Sequence, residues 1–289
     1  MSQDRSSGSP VEGPIGVFDS GIGGVSILRA LRRHLPAEEF LYLADSGQGP
    51  YGDLGPERVR ERALRCAEVL EGQGAKALVV ACNTATALAV EVIRSRFPGP
   101  VVAVEPPLKP AAADPGNRVV GVLVTRAMAE SLRYGALAAR YGVGLRIHTR
   151  PCPGLVECIE SGTLETIAGR HLLSRLLEPL TRDPVDTLVL GCTHYAFAEE
   201  PIRRELGRDV RLVEPSEGVA RQLLRRLRDE GLLNGRGPGG VRFWASGQPG
   251  PAEQALRTIA GLESGQCRGA PMGEFQPLAV SQPAAASSA

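Results

Sequence analysis

Two cysteines stand in matched surroundings in this chain. Cys82 lies in ALVVACNTATAL (77–88) and Cys192 in TLVLGCTHYAFA (187–198). Each follows an apolar run of four or five residues and one small residue, and each precedes Asn-Thr or Thr-His at the opening of a helical pattern. A short apolar run bounded in this way reads as a buried strand of an α/β sheet. Each sulfur therefore sits where a strand hands over to a helix, the end at which open α/β sheets bind ligands. A lone buried cysteine is commonly just a small apolar side chain; a pair in the same place of the same motif is harder to explain as packing. A thiolate is a base as well as a nucleophile, and a sulfur ahead of a helix N-terminus is expected to have its pKa lowered from ~8.5. Two thiols on opposite faces of one carbon suit stereoinversion, one removing a proton and the other delivering one from behind. Such a substrate is an acid with a hydrogen α to its carboxylate.

The polar residues beside the cysteines suit that chemistry. Asp19 and His194 could orient or tune the thiols, because a neighbouring charge sets the thiolate fraction; a loop-capping aspartate and a satisfied buried histidine are the structural alternatives. Ser20, Asn83, Thr84 and Thr193 offer hydroxyl and amide contacts to an anion, joined by the N–H groups of helix starts. Asn83 and Thr84 are also favoured N-cap types. In the loop SGQGPYGDLG (46–55), Pro50 is rigid and Gly52 permissive, so the loop can hold backbone N–H groups or the Tyr51 ring in a fixed place; an ordinary surface turn is the alternative. Asp19-Ser20-Gly21-Ile22-Gly23-Gly24 between a strand and a helix has the form of an anion site. A dinucleotide reading, with Asp45 as the ribose acid, is opposed by the negative Asp19 at its mouth and by Ser26 in place of the third glycine.

The elements that must position these residues alternate strand and helix throughout, which defines an α/β class with mostly parallel sheets. Strands are expected at 15–18, 40–44, 77–81, 101–104, 119–124, 145–149, 187–190, 210–214 and 241–245. Helices are expected at 25–34, 56–73, 85–96, 128–141, 155–161, 164–180, 198–206, 219–230 and 251–262. Gly16 and Gly121, Cys82 and Cys192, and Glu105 and Glu214 recur in one order at separations of 105, 110 and 109 residues. Two similar halves are therefore expected, with a pseudo-twofold relation that brings the two sulfurs to one cleft. The domains read as 15–107 together with 215–264, and 108–214, with a flexible leader at 1–14 and a flexible tail at 265–289.

Composition narrows the classes. The chain has 289 residues and 43% hydrophobic content, enough for two cored domains. A net charge of +1 gives no footprint for nucleic acid or a membrane surface. No apolar run is long enough to span a bilayer, and the N-terminus lacks a signal-peptide core, so a cytoplasmic protein with reduced thiols is expected. The six cysteines (66, 82, 152, 158, 192 and 267) show no C-x-x-C spacing for zinc, and Cys66 reads as packing. Lys76 and Lys109 are the only lysines. Lys76 precedes its strand and Lys109 lies among prolines, so no pyridoxal-type Schiff base and no cofactor is expected.

The motifs IGVFDSGIGG, PYG (50–52), VVACNTATA, VEP (104–106), CPGLV (152–156) and LGCTHY (190–195) resemble those of bacterial glutamate racemases, within the cofactor-independent aspartate/glutamate racemase superfamily. The resemblance covers roughly Ile15 to Leu262. It implies two α/β domains with the active site between them, and Cys82 and Cys192 as the acid/base pair. It implies substrate contacts at Asp19, Ser20, Tyr51, Gly52, Asn83, Thr84, Thr193 and His194, and supporting roles for Asp19, Glu160 and His194. The implied reaction interconverts L- and D-glutamate, supplying D-glutamate for peptidoglycan. Aspartate or hydantoin racemisation, or ligand binding without catalysis, are the alternatives, and a homodimer is among the assemblies it allows. Ala44, Gln48 and Met128 depart from the usual family pattern.

Overall fold

The computed structural model describes residues 12–114, 116–207, 209–235, 239–260 and 275–278. The first half runs β1 (Ile15–Asp19), α1 (Val25–His34), β2 (Phe40–Ala44), α2 (Pro56–Gly72), β3 (Ala77–Val80), α3 (Asn83–Arg96), β4 (Val101–Ala103) and α4 (Leu108–Ala112). The second runs β5 (Val119–Val124), α5 (Arg126–Ala129), α6 (Leu132–Tyr141), β6 (Arg146–Pro151), α7 (Leu155–Glu160), α8 (Ile167–Arg182), β7 (Thr187–Leu190), α9 (Glu199–Leu206) and β8 (Arg211–Val213). The chain then returns through α10 (Ser216–Asp229), β9 (Val241–Ser246), α11 (Pro249–Ala260) and β10 (Phe275–Leu278).

These strands form two sheets, ordered β10-β9-β2-β1-β3-β4 and β6-β5-β7-β8. Every pairing is parallel except that of β10 with β9. The order β2-β1-β3-β4 is the order β6-β5-β7-β8 shifted by four strands, so the sequence repeat is a repeat of topology. Gly16 lies opposite Leu78 and Gly121 opposite Leu188, which aligns the halves in register. The central strands β1, β2, β3 and β7 are buried at every position. They read as unbroken apolar runs because helices cover both faces of a parallel sheet. In the first sheet Ile15, Val17, Tyr42 and Val79 pack under α1 and α10, while Phe18, Leu41, Leu43 and Leu78 pack under α2 and α3.

Several boundaries differ from the sequence expectation because of caps. The helix expected over 128–141 is broken in two, since the Ser131 hydroxyl accepts the Tyr134 N–H and starts a fresh helix. The helix expected from 164 begins at Ile167, where Thr166 caps the Gly169 N–H. The proline-rich stretch 106–110 forms the short α4 rather than only a break. Within the expected flexible tail, residues 275–278 add an edge strand to β9. Proline is tolerated on an edge strand, and Pro277 occupies such a position. Residues 1–11 of the leader, 261–274 and 279–289 lie outside the described residues, as do Cys267 and the end of the helix expected to reach 262. No helix among the described residues is long and apolar enough to cross a membrane.

Candidate active site

In each sheet the strand order reverses between the first and third strands of its half, which opens a crevice at their carboxyl ends. One cavity is lined from both crevices: Asp19 and Ser20 after β1, Pro50 to Gly52 after β2, Cys82 to Thr84 after β3, Thr125 after β5, Val156 on α7, and Cys192 to His194 after β7. The residues close tightly around a small space. The dinucleotide reading loses its ribose acid. Asp45, the residue that could have served as a ribose acid, is instead paired with Arg62.

The Cys82 side is built by α3. The helix begins at Asn83, and its N-cap is Cys82 itself, whose sulfur accepts the Ala85 N–H at 3.4 Å. Asn83 and Thr84, favoured cap types, are displaced into the first turn and face the cavity. The Cys82 thiol donates to Ser20 Oγ at 3.6 Å. Its pKa is pushed well above the ordinary thiol range, against the sequence expectation. Burial is the largest cause and the Asp19 charge adds to it; together they outweigh the Ala85 N–H and Ser20 contacts. Both polar atoms of the Asn83 amide are buried without a hydrogen-bond partner in the protein. A buried amide in that state calls for a partner from outside the chain, a ligand or a water. Thr84 Oγ1 meets Thr125 Oγ1 at 3.0 Å, across the two halves.

The glycine-rich turn after β1 is not free to bind an anion, because the protein's own carboxylates occupy it. Asp19 accepts from the N–H groups of Ser20 at 2.8 Å and Gly24 at 2.6 Å. Glu160, from the other half, accepts from the Ile22 N–H at 3.2 Å. The glycines serve close approach: a Cβ on Gly21 would lie 2.0 Å from Glu160 Oε1, and one on Gly23 would lie 2.4 Å from His194 Nδ1. Burial holds the Asp19 carboxyl above its usual pKa, although the His194 charge and its two N–H donors pull the other way.

The Cys192 side is built differently. A 3-10 helix over Thr193–Ala198 follows the cysteine, and the sulfur caps nothing. His194 is buried, with Nδ1 3.8 Å from Cys192 Sγ and Nε2 2.8 Å from Glu160 Oε1. Burial alone would lower the imidazole pKa, but the contacts with Cys192 and the Glu160 carboxylate carry it well above the usual histidine value. Burial likewise would raise Glu160, yet the bond and charge of His194 hold it below the ordinary range. Thr193 Oγ1 donates to Asp19 Oδ2 at 3.4 Å, tying this turn to the first half.

All the sequence-nominated residues except Glu160 line this cavity, and Glu160 stands directly behind His194. Tyr51 lines the cavity, but its hydroxyl turns away to Asp45. Thr125 and Val156 also line it and were not nominated: Thr125 follows the strand expected at 119–124, and Val156 lies in the apolar start of the helix expected at 155–161. Tyr42, whose hydroxyl donates to the Gly21 carbonyl at 2.9 Å, was hidden inside an apolar strand. Cys66 is on the buried face of α2, in the core. Neither lysine reaches the cavity: Lys76 forms a buried pair with Glu38 at 2.7 Å, and Lys109 lines a separate groove.

Two cysteines thus stand at the carboxyl ends of equivalent strands in two repeated sheets, and the sequence matches the Asp/Glu/Hydantoin racemase family over residues 15–223. The chain belongs to this family. Among individual relatives, a glutamate racemase of Methylococcus capsulatus is 48% identical over 262 residues, covering 90% of this chain and 96% of the relative. The crystal structure of a glutamate racemase from Bacillus anthracis superposes with a TM-score of 0.80 at 32% identity, covering 90% of this chain and 98% of that one. A Francisella tularensis glutamate racemase solved with D-glutamate gives 0.77 at 29% identity, covering 87% and 94%.

Proposed function

We propose that the protein interconverts L- and D-glutamate by deprotonation and reprotonation at Cα, with Cys82 and Cys192 as the two bases. The observation that carries this reading is that two cysteines from equivalent strand ends of two sheets line one small cavity. One thiolate takes the α-hydrogen while the opposing thiol supplies one to the other face, so charge and protons balance within the site. Ser20, Asn83, Thr84 and Thr193 hold the substrate's polar groups, and the unpaired Asn83 amide supports that role. Asp19 tunes Cys82, and the His194–Glu160 pair stands against Cys192. A thiol pushed up by burial is a strong base once ionised. The relatives' substrate favours glutamate over aspartate or hydantoin. We read residues 15–107 with 215–264, and 108–214, as the two domains. We place the protein in the cytoplasm as a supplier of D-glutamate for peptidoglycan.

Purified protein given L-glutamate, and separately D-glutamate, should bring the optical rotation of either solution to zero without added cofactor. L-aspartate and a hydantoin should keep theirs. Racemisation of one of these in preference to glutamate, or of none of them, defeats the assignment.

A further inference from the structure

Directly behind one wall of the cavity lies a buried ion pair. Asp45 and Arg62, the latter on α2, are both buried. The guanidinium spans both carboxylate oxygens, with Nη2 at 2.7 Å from Oδ1 and Nε at 3.0 Å from Oδ2. The Tyr51 hydroxyl donates to the same Oδ2. The Asp45 main chain is equally tied: its N–H donates to the Asp19 carbonyl at 2.9 Å, and its carbonyl accepts from Gln48 at 3.0 Å and Gly49 at 2.8 Å. Gly49 rests so closely on Ser20 that a Cβ would lie 1.9 Å from the Ser20 carbonyl oxygen. Asp45 is thus the point at which the loop carrying Pro50, Tyr51 and Gly52 is fastened to the Asp19-Ser20 segment.

We propose that Arg62, which does not line the cavity, is a positioning residue for substrate binding. Through Asp45 and Tyr51 it fixes the wall at 50–52 against Ser20 and Cys82; the proposal rests on the glutamate racemase reading above. A buried ion pair is seldom worth more than apolar packing of the same volume, so stability alone is a weak reason for one here. What the pair supplies is orientation. A two-pronged guanidinium fixes the plane of the Asp45 carboxylate, which a lysine ammonium cannot do. That plane in turn sets the direction of the Tyr51 hydroxyl and the tilt of its ring. Because Arg62 lies outside the reacting groups, its effect falls on the capture of glutamate rather than on proton transfer.

The test is steady-state racemisation of glutamate by three variants, with folding followed by circular dichroism. Arg62→Lys keeps the charge but loses the fork. Its KM should rise about tenfold, the factor that one weakened charge-assisted hydrogen bond commands, while kcat stays within about twofold. Arg62→Met should raise KM at least as far. Tyr51→Phe leaves the ion pair whole but unhooks the ring; it should raise KM by a smaller factor, and it decides the matter if the Arg62 variants do not fold. A purely structural Arg62 predicts a lower melting temperature and fewer active molecules, hence a lower apparent kcat at unchanged KM. That result in Arg62→Lys, or an unchanged KM in Tyr51→Phe, overturns the proposal. The glutamate reading itself is judged separately, on the unsubstituted protein.

Discussion

The two sulfurs occupy equivalent strand ends, yet the turns that follow them differ. Cys82 opens a 14-residue α-helix and caps it, so its sulfur already accepts one N–H and its hydroxyl neighbour is Ser20. Cys192 opens a six-residue 3-10 helix, caps nothing, and faces an imidazole held by a carboxylate. The charged neighbour of Cys82 is Asp19, a carboxyl that burial holds above its usual pKa. Behind Cys192 stands Glu160, a carboxyl that His194 holds below its own. The repeat therefore delivers the same acid/base group to two faces, while its surroundings make one side carboxylate-neighboured and the other imidazolium-neighboured. A topological repeat fixes where the Cα atoms go. It does not fix what each side chain meets.

The largest expected effect comes from removing either sulfur. Cys82→Ser and Cys192→Ser should each lower racemisation in both directions by ~10²–10⁴-fold, the usual contribution of an acid/base group. If the two sides serve opposite faces, the residual chemistry divides. The family resemblance implies that Cys192 faces the α-hydrogen of L-glutamate and Cys82 that of D-glutamate; in D2O, Cys82→Ser should then still wash out the α-hydrogen of L-glutamate, and Cys192→Ser only that of D-glutamate. Proton NMR of the α-hydrogen reads this out. Washout of the same enantiomer by both variants would falsify the opposed geometry.

A smaller effect tests the asymmetry itself. His194→Asn should lower kcat/KM by roughly tenfold, less than loss of a primary base. It must do so equally in both directions, because the equilibrium constant of a racemisation is one. The difference appears in isotope effects: slowing the Cys192 step exposes the effect of α-deuterium in L-glutamate and suppresses it in D-glutamate. Equal isotope effects for the two enantiomers mean that His194 does not belong to the Cys192 side alone.

The smallest effect is on stability against acid, where the two carboxyls have opposite signs. The depressed pKa of Glu160 contributes stability that is present above its unfolded value of about 4.3 and is lost as pH falls through its folded value. The raised pKa of Asp19 acts the other way: its contribution is present below its unfolded value of about 3.9 and is lost as pH rises through its folded value. Between about pH 5 and pH 3 the melting temperature of Glu160→Gln should therefore fall less steeply than that of the parent protein, and that of Asp19→Asn more steeply. Parallel curves erase the distinction between the two sides.

Much of this arrangement was legible in the chain. Unbroken apolar runs at 15–18, 77–80 and 187–190 mark strands covered on both faces, and the spacing of Gly16, Cys82 and Glu105 against their later partners marks the repeat. Those features follow from local pattern, because a buried parallel strand needs apolar residues on both sides. The same pattern placed Cys82, Cys192, Asn83, Thr84, Thr193 and His194 at strand ends. Ser131 and Thr166, which reset two helix starts, carry the ordinary N-cap signature but were outweighed by the apolar periodicity around them.

What only the tertiary structure decided is how partners distant in sequence meet. Glu160 reaches the glycine turn from 138 residues away, and the purpose of Gly21 and Gly23 is visible only once that carboxylate and His194 are seen packed against them. The Cys82 pKa went against the local argument for the same reason. A helix start lowers a thiol pKa where water shares the site, but here the fold buries the sulfur and sets Asp19 beside it. Desolvation and charge are sums over everything nearby in space. Periodicity and spacing are properties of the chain, so the sequence could say which residues stand at the strand ends, and the packing of one half on the other decided what surrounds them.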